Sequence, residues 1–83
     1  MIETIANHIE RVSFTDCELV PMNAALATYL EDLARALARG YVAPDANRKG
    51  FFDVIAGNQW FYIHVEPKTG TAYLIAHQVV AST

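Results

Sequence analysis

FFDVIAGNQWFYIHVEPKTGTAYLIAHQVV, residues 51–80, decides the fold, because two turn signals inside it cut it into three strands and set their register. In Ala56-Gly57-Asn58-Gln59 the Gly-Asn pair suits a two-residue hairpin loop of type I′ or II′, which places Ala56 opposite Gln59. In Glu66-Pro67-Lys68-Thr69-Gly70-Thr71 proline suits the second position of a type I turn and glycine the left-handed position after it, so a four-residue loop places Glu66 opposite Thr71. The register then pairs Ile55 with Trp60, Asp53 with Tyr62, His64 with Tyr73, Ile63 with Leu74, and Trp60 with His77.

Side chains alternate across a strand, so one face collects Phe52, Val54, Phe61, Ile63, Val65, Ala72, Leu74 and Ala76, all apolar. That is the expected core face, to be covered by a helix. The opposite face collects Phe51, Asp53, Ile55, Trp60, Tyr62, His64, Tyr73, Ile75 and His77 and is aromatic with polar tips. A three-residue second loop with a bulge would instead flip the last strand, sending Tyr73, Ile75 and His77 to the core side.

Upstream, Ile2, Ile5, Ile9 and Val12 recur at helical spacing and predict a short amphipathic helix over residues 2–12. Ser13 to Val20 reads as a connector, with Thr15 to Glu18 spaced like a capping box. A second helix is predicted from Pro21 or Met22 to Arg39, where Leu26, Leu30, Leu33 and Leu37 form one stripe and Asn23 or Val20 caps the start. Gly40 is placed to end it, and Glu31 and Arg35 are spaced to pair on its surface. Residues 41–50, YVAPDANRKG, read as a loop. The expected fold is one α+β domain over residues 1–83, with two N-terminal helices on one face of a three-stranded antiparallel meander (α-α-β-β-β). The last strand, Thr71 to Val80, would lie at an edge and invite pairing, either with another chain or with the N-terminal segment or the Cys17 to Val20 stretch.

Apolar residues make up 53% of this 83-residue chain and charged ones 18%, more apolar surface than so small a core can hide, which points to association. The single Cys17 excludes an internal disulfide, and its neighbours Asp16 and Glu18 disfavour a reactive thiolate. No basic, apolar-run start marks a signal peptide, and no stretch is long enough to span a membrane, so a cytoplasmic protein is expected. With net charge −3 and scattered basic residues, the composition argues against a nucleic-acid partner.

His64 and His77 are the candidate metal or acid–base residues, yet the expected register sets them roughly 13 Å apart, too far to share an ion. Asp53 lies diagonal to His64 and could orient its imidazole, although no nucleophile accompanies the pair. His8 falls on the polar side of the first helix. The glycines lie at turns and form no phosphate loop, and no cofactor is implied.

The layout of helices followed by an antiparallel meander resembles that of small bacterial ribonuclease toxins of the RelE and ParE type, and Phe61 to His77 is loosely similar to their strand pattern. The resemblance would imply a ribonuclease or small hydrolase using a sheet histidine, but the strands carry Glu66, His77 and Gln78 where such toxins use basic residues. The second face is either covered by the first helix, which is short and has a narrow stripe for so wide a face, or left open; its aromatic composition favours an open face and a non-catalytic protein-binding module. Its expected binding residues are Phe51, Ile55, Trp60, Tyr62, His64, Tyr73, Ile75 and His77. The expected partner is a second copy in a homodimer or a different protein that this domain caps; an apolar small ligand is the further alternative.

Overall fold

The computed structural model of the protein describes residues 17–80. In chain order it contains β1 (Glu18–Pro21), a 3-10 helix (Ala24–Tyr29) running into α1 (Leu30–Arg39), then β2 (Tyr41–Pro44), β3 (Phe51–Ala56), β4 (Gln59–Glu66) and β5 (Thr71–Val79). The strands form one sheet in the order β1-β5-β4-β3-β2, antiparallel throughout except that β1 runs parallel to β5. This is an α+β protein, but with one α-helix and a five-stranded mixed sheet among the described residues. The expected arrangement of two helices on a three-stranded meander is therefore corrected, and the helix predicted over residues 2–12, with His8, lies outside the described residues.

Each correction has a local cause. β1 and β2 are four residues long and each ends in proline, too short for an alternating pattern and carrying a residue that reads as a break. Proline is tolerated there because, among the described residues, both strands are edges with no ladder to feed on the outer side. The last strand is thus interior, and the stretch that pairs with it is Glu18–Pro21. Pro21 belongs to that strand instead of a helical first turn. Asn23 caps the 3-10 segment, its side chain accepting the Leu26 N–H at 3.1 Å.

Because β1 and β2 lie on opposite edges, the 16 residues from Ala24 to Arg39 must carry the chain across the sheet. Six 3-10 residues at about 2.0 Å and ten α-helical ones at about 1.5 Å give roughly 27 Å, enough to cross five strands about 4.8 Å apart. The leucine stripe faces the sheet: Leu33 and Ala36 join Val54, Phe61, Ile63, Val65, Ala72 and Leu74 in the buried core, with Leu26, Leu30 and Leu37 packed at its margin. The predicted surface pair is replaced by a neighbouring one, Arg35 bonding Asp32.

The β3–β4 register is as expected from the Gly57 turn, with Ile55 opposite Trp60 and Asp53 opposite Tyr62. The second loop also has four residues, with Gly70 at φ +68°, and pairs Glu66 with Thr71 and His64 with Tyr73. The ladder then slips: Ile63 faces Leu74 but Tyr62 faces Ala76, leaving Ile75 as the extra residue of a bulge. Trp60 consequently faces Gln78, not His77, and His77 moves opposite Phe61 onto the helix side. There its ring stacks on Tyr29 at 3.9 Å and its Nε2 lies 2.9 Å from Gln59 Oε1.

Candidate functional site

On the side away from the helix the sheet presents three rows that run straight across the strands. The first is Val20, Tyr73, His64 and Phe51; the second Ala76, Tyr62, Asp53 and Ala43; the third Gln78, Trp60, Ile55 and Tyr41. Five rings touch in sequence across these rows. Tyr73 and His64 lie 6.3 Å apart, His64 and Phe51 4.4 Å, Phe51 and Tyr62 5.7 Å, and Tyr62 and Trp60 5.9 Å, all near-parallel. Tyr41 and Ile55 beside them are exposed by 66% and 42%.

The polar tips of Trp60, His64 and Tyr62 are held. The Trp60 Nε1–H donates to Asp53 Oδ1 at 2.8 Å, which turns the indole to lie with the strip. His64 Nδ1 lies 3.0 Å from the Gly50 carbonyl oxygen and Nε2 lies 3.1 Å from Glu66 Oε2. Both nitrogens face acceptors, so a neutral ring donates to one of them and only an imidazolium to both. The diagonal Asp53–His64 pairing is not made, since Asp53 serves Trp60 and His64 serves the loop and Glu66.

The loop between β2 and β3 folds back over part of this face. Asp45 accepts the Asn47 N–H at 2.9 Å in a tight local turn and also accepts the Tyr62 hydroxyl. The Arg48 guanidinium sits 3.9 Å above the Phe51 ring and 6.0 Å from that of Tyr62. Gly50, at φ +87°, turns its carbonyl toward the Val65 N–H and His64. A left-handed residue is needed there, and a side chain would meet the His64 ring at 3.2 Å.

Tyr62 and Asp45 shift each other. The Tyr62 hydroxyl, then the Asn47 N–H, and more weakly the Arg48 charge, hold the Asp45 carboxyl below its ordinary 3.8. The same hydrogen bond, helped by partial desolvation, holds the Tyr62 hydroxyl above 10.0. A lowered carboxyl stabilises the folded loop above its unfolded value and loses that contribution as pH falls through the folded one; a raised phenol does the reverse at the alkaline end. The loop tether is therefore expected to be constant between about pH 4 and pH 10 and to weaken outside that window. NMR titration of Asp45 in a Tyr62→Phe variant checks the cause: its carboxyl should move up toward 3.8, whereas an unchanged value would assign the shift to Asn47 and Arg48.

Of the eight residues expected on this face, Phe51, Ile55, Trp60, Tyr62, His64 and Tyr73 share it. Ile75 sits at the bulge, and His77 is on the far side. Sequence reasoning missed Val20 and Tyr41, which arrive on the two edge strands, Ala76, which the bulge turns outward, and Asp45 and Arg48. The Asp-x-Asn spacing at 45–47 was the available signal for a structured turn there. Cys17 is half-buried against the core margin. Among the described residues no group of three or more His, Cys, Asp or Glu side chains is placed to hold a metal, and no helix is long and apolar enough to cross a membrane.

The class of protein defined so far is a small α+β domain with a mostly antiparallel sheet and an aromatic strip on the side opposite its helix. Compared with known proteins, the chain matches no family model, no curated protein and no solved structure.

Proposed function

We propose that this domain is a non-catalytic protein-binding module that uses the face opposite α1. The observation that carries the proposal is the continuous strip Tyr73–His64–Phe51–Tyr62–Trp60, carried by the three central strands of the sheet and, among the described residues, covered only by the Asp45–Gly50 loop. Aromatic rings with polar tips give area at small entropic cost and are the common anchors of protein interfaces. The edges are poor alternatives for docking, because β1 and β2 are short and proline-terminated. A hydrolytic role for His64 has less support, since both of its nitrogens are engaged and no nucleophile faces it among the described residues.

The occupant is either a second copy or a different protein that the domain caps. Sedimentation of the purified chain, together with capture from a lysate of its native host, covers both forms. Trp60→Ser removes the anchor on the exposed side of β4, and it should weaken either assembly by about 2 kcal/mol or more while leaving the helical circular dichroism unchanged. A chain that is monomeric and captures nothing, or that captures the same proteins with and without Trp60, would rule the reading out.

A further inference from the structure

We infer that the occupant of this face is a basic segment of a different protein, with an arginine or lysine laid on the Trp60 and Tyr62 rings. This rests on the binding role proposed above and names its partner by chemistry. The five strands contain no lysine or arginine, and their three acidic residues, Glu18, Asp53 and Glu66, all fall on the open side. Asp45 adds a fourth carboxylate through its bond to Tyr62. Arg48 is the basic side chain that the structure seats on the rings; with Lys49 and Lys68 in the bordering loop and turn there are three cations against these four carboxylates, which leaves one net negative charge, and the strands themselves carry carboxylates alone.

This distribution argues against a second copy. Two such faces packed about a twofold axis would bring like-charged carboxylates together with the aromatics, a costly arrangement in an interface that excludes water. It equally favours a cationic partner, since surface charge of one sign steers and selects the other.

The contact is already sampled within the chain. Arg48 sits over the Phe51 ring at 3.9 Å with the Asp45 carboxylate as counter-charge. Trp60 repeats the same components in the third row: an indole, the strongest cation–π face, with the Asp53 carboxylate fixed to its edge at 2.8 Å. The Phe51 site is filled by the protein's own guanidinium; the Trp60 site has no such cation among the described residues.

Trp60 is the chain's only tryptophan, so its fluorescence reports this face directly. The probe is a synthetic decapeptide of alternating arginine and serine, titrated into the full chain beside its glutamate–serine counterpart. The arginine peptide should change Trp60 emission saturably and move the Tyr62 and Phe51 ring resonances, and the glutamate peptide should not. Asp53→Asn keeps an acceptor for the indole but removes the charge, and should weaken binding about threefold. Arg48→Gln should strengthen it about two- to threefold by freeing the Phe51 ring, whereas Arg39→Gln on the helix, an equal change in net charge, should not.

Equal responses to both peptides, no response to the arginine peptide, or equal effects of the Arg48 and Arg39 changes would overturn the inference. So would a stable dimer that Trp60→Ser dissociates, or a shift of Trp60 emission on replacing Ile2, Ile5 and Ile9 with serine, since a second copy or the chain's own start would then hold the face. If the peptides fail while Trp60-dependent capture from the lysate succeeds, the face binds protein and only the basic character of the partner is wrong.

Discussion

Phe61→Ala is expected to destabilise the protein by about 3–5 kcal/mol, the usual cost of removing a fully enclosed aromatic ring. Phe61 lies on the middle strand of the five, has no exposed surface, and contacts a core built from both layers. Val54 stands opposite it on β3 and His77 on β5, with the His77 ring centre 5.0 Å away. Truncation therefore opens a hole bounded by three strands and the helix, where backbone hydrogen bonding prevents collapse from either side. A chain of 83 residues has about 4–12 kcal/mol of stability in total on the usual per-residue scale, so at least a quarter of it is at stake. Urea unfolding measures the effect directly. A loss below about 1.5 kcal/mol would mean that the helix can settle into the space, and hence that the helix–sheet interface is far softer than its packing indicates.

The same residue shows what sequence could and could not reveal. Phe61 was assigned to the core because two turns with distinct chemistry, Gly57-Asn58 and Pro67 to Gly70, each fixed a register and agreed on one apolar face. Turn chemistry is local, so it is readable from a few residues. Across β5 the turn register predicts Ala76 opposite Phe61, but His77 stands there, because the bulge at Ile75 has no glycine or proline to announce it. Its cause is tertiary: slipping the strand by one residue places His77 between Tyr29 and Phe61 and gives its Nε2 the Gln59 side chain. β1 and β2 were missed for a different reason, since four residues ending in proline satisfy no periodicity and become strands only because β5 and β3 offer them an edge. Six of the eight expected face residues nonetheless share the face: alternation along β3 and β4 places five of them from the first turn alone, and Tyr73 follows from the second turn because it precedes the bulge. The loop contacts of Asp45 and Arg48 depend on how a ten-residue connection folds back, which no short-range rule encodes.

Gly40→Ala is expected to cost about 2–3 kcal/mol, at the upper end of the range for an overpacked site. From sequence, a glycine after Arg39 reads as a helix stop, a position usually occupied for its left-handed backbone. The backbone at Gly40 is instead extended, with φ −91° and ψ −167°, accessible to any residue. What excludes a side chain is distance: a Cβ would lie 2.5 Å from the Ile55 carbonyl oxygen and 2.7 Å from that of Ala36. Both obstacles are backbone, one in β3 and one in the last turn of α1, and the Gly40 N–H is itself bonded to the Ala36 oxygen at 2.6 Å. Only this one residue separates α1 from β2, so neither element can retreat without breaking the Tyr41–Ile55 pairing or that bond. Asparagine separates the two explanations, because it is the non-glycine residue best suited to a left-handed stop but is larger than alanine. If close approach is the constraint, Gly40→Asn should lower the urea midpoint at least as far as Gly40→Ala; a milder effect would restore the conformational explanation. Gly57 supplies the contrast, with φ +60° and open space where its Cβ would stand. There the penalty should be conformational alone, about 1 kcal/mol for alanine and less for asparagine, so the order of the two substitutions reverses between the sites.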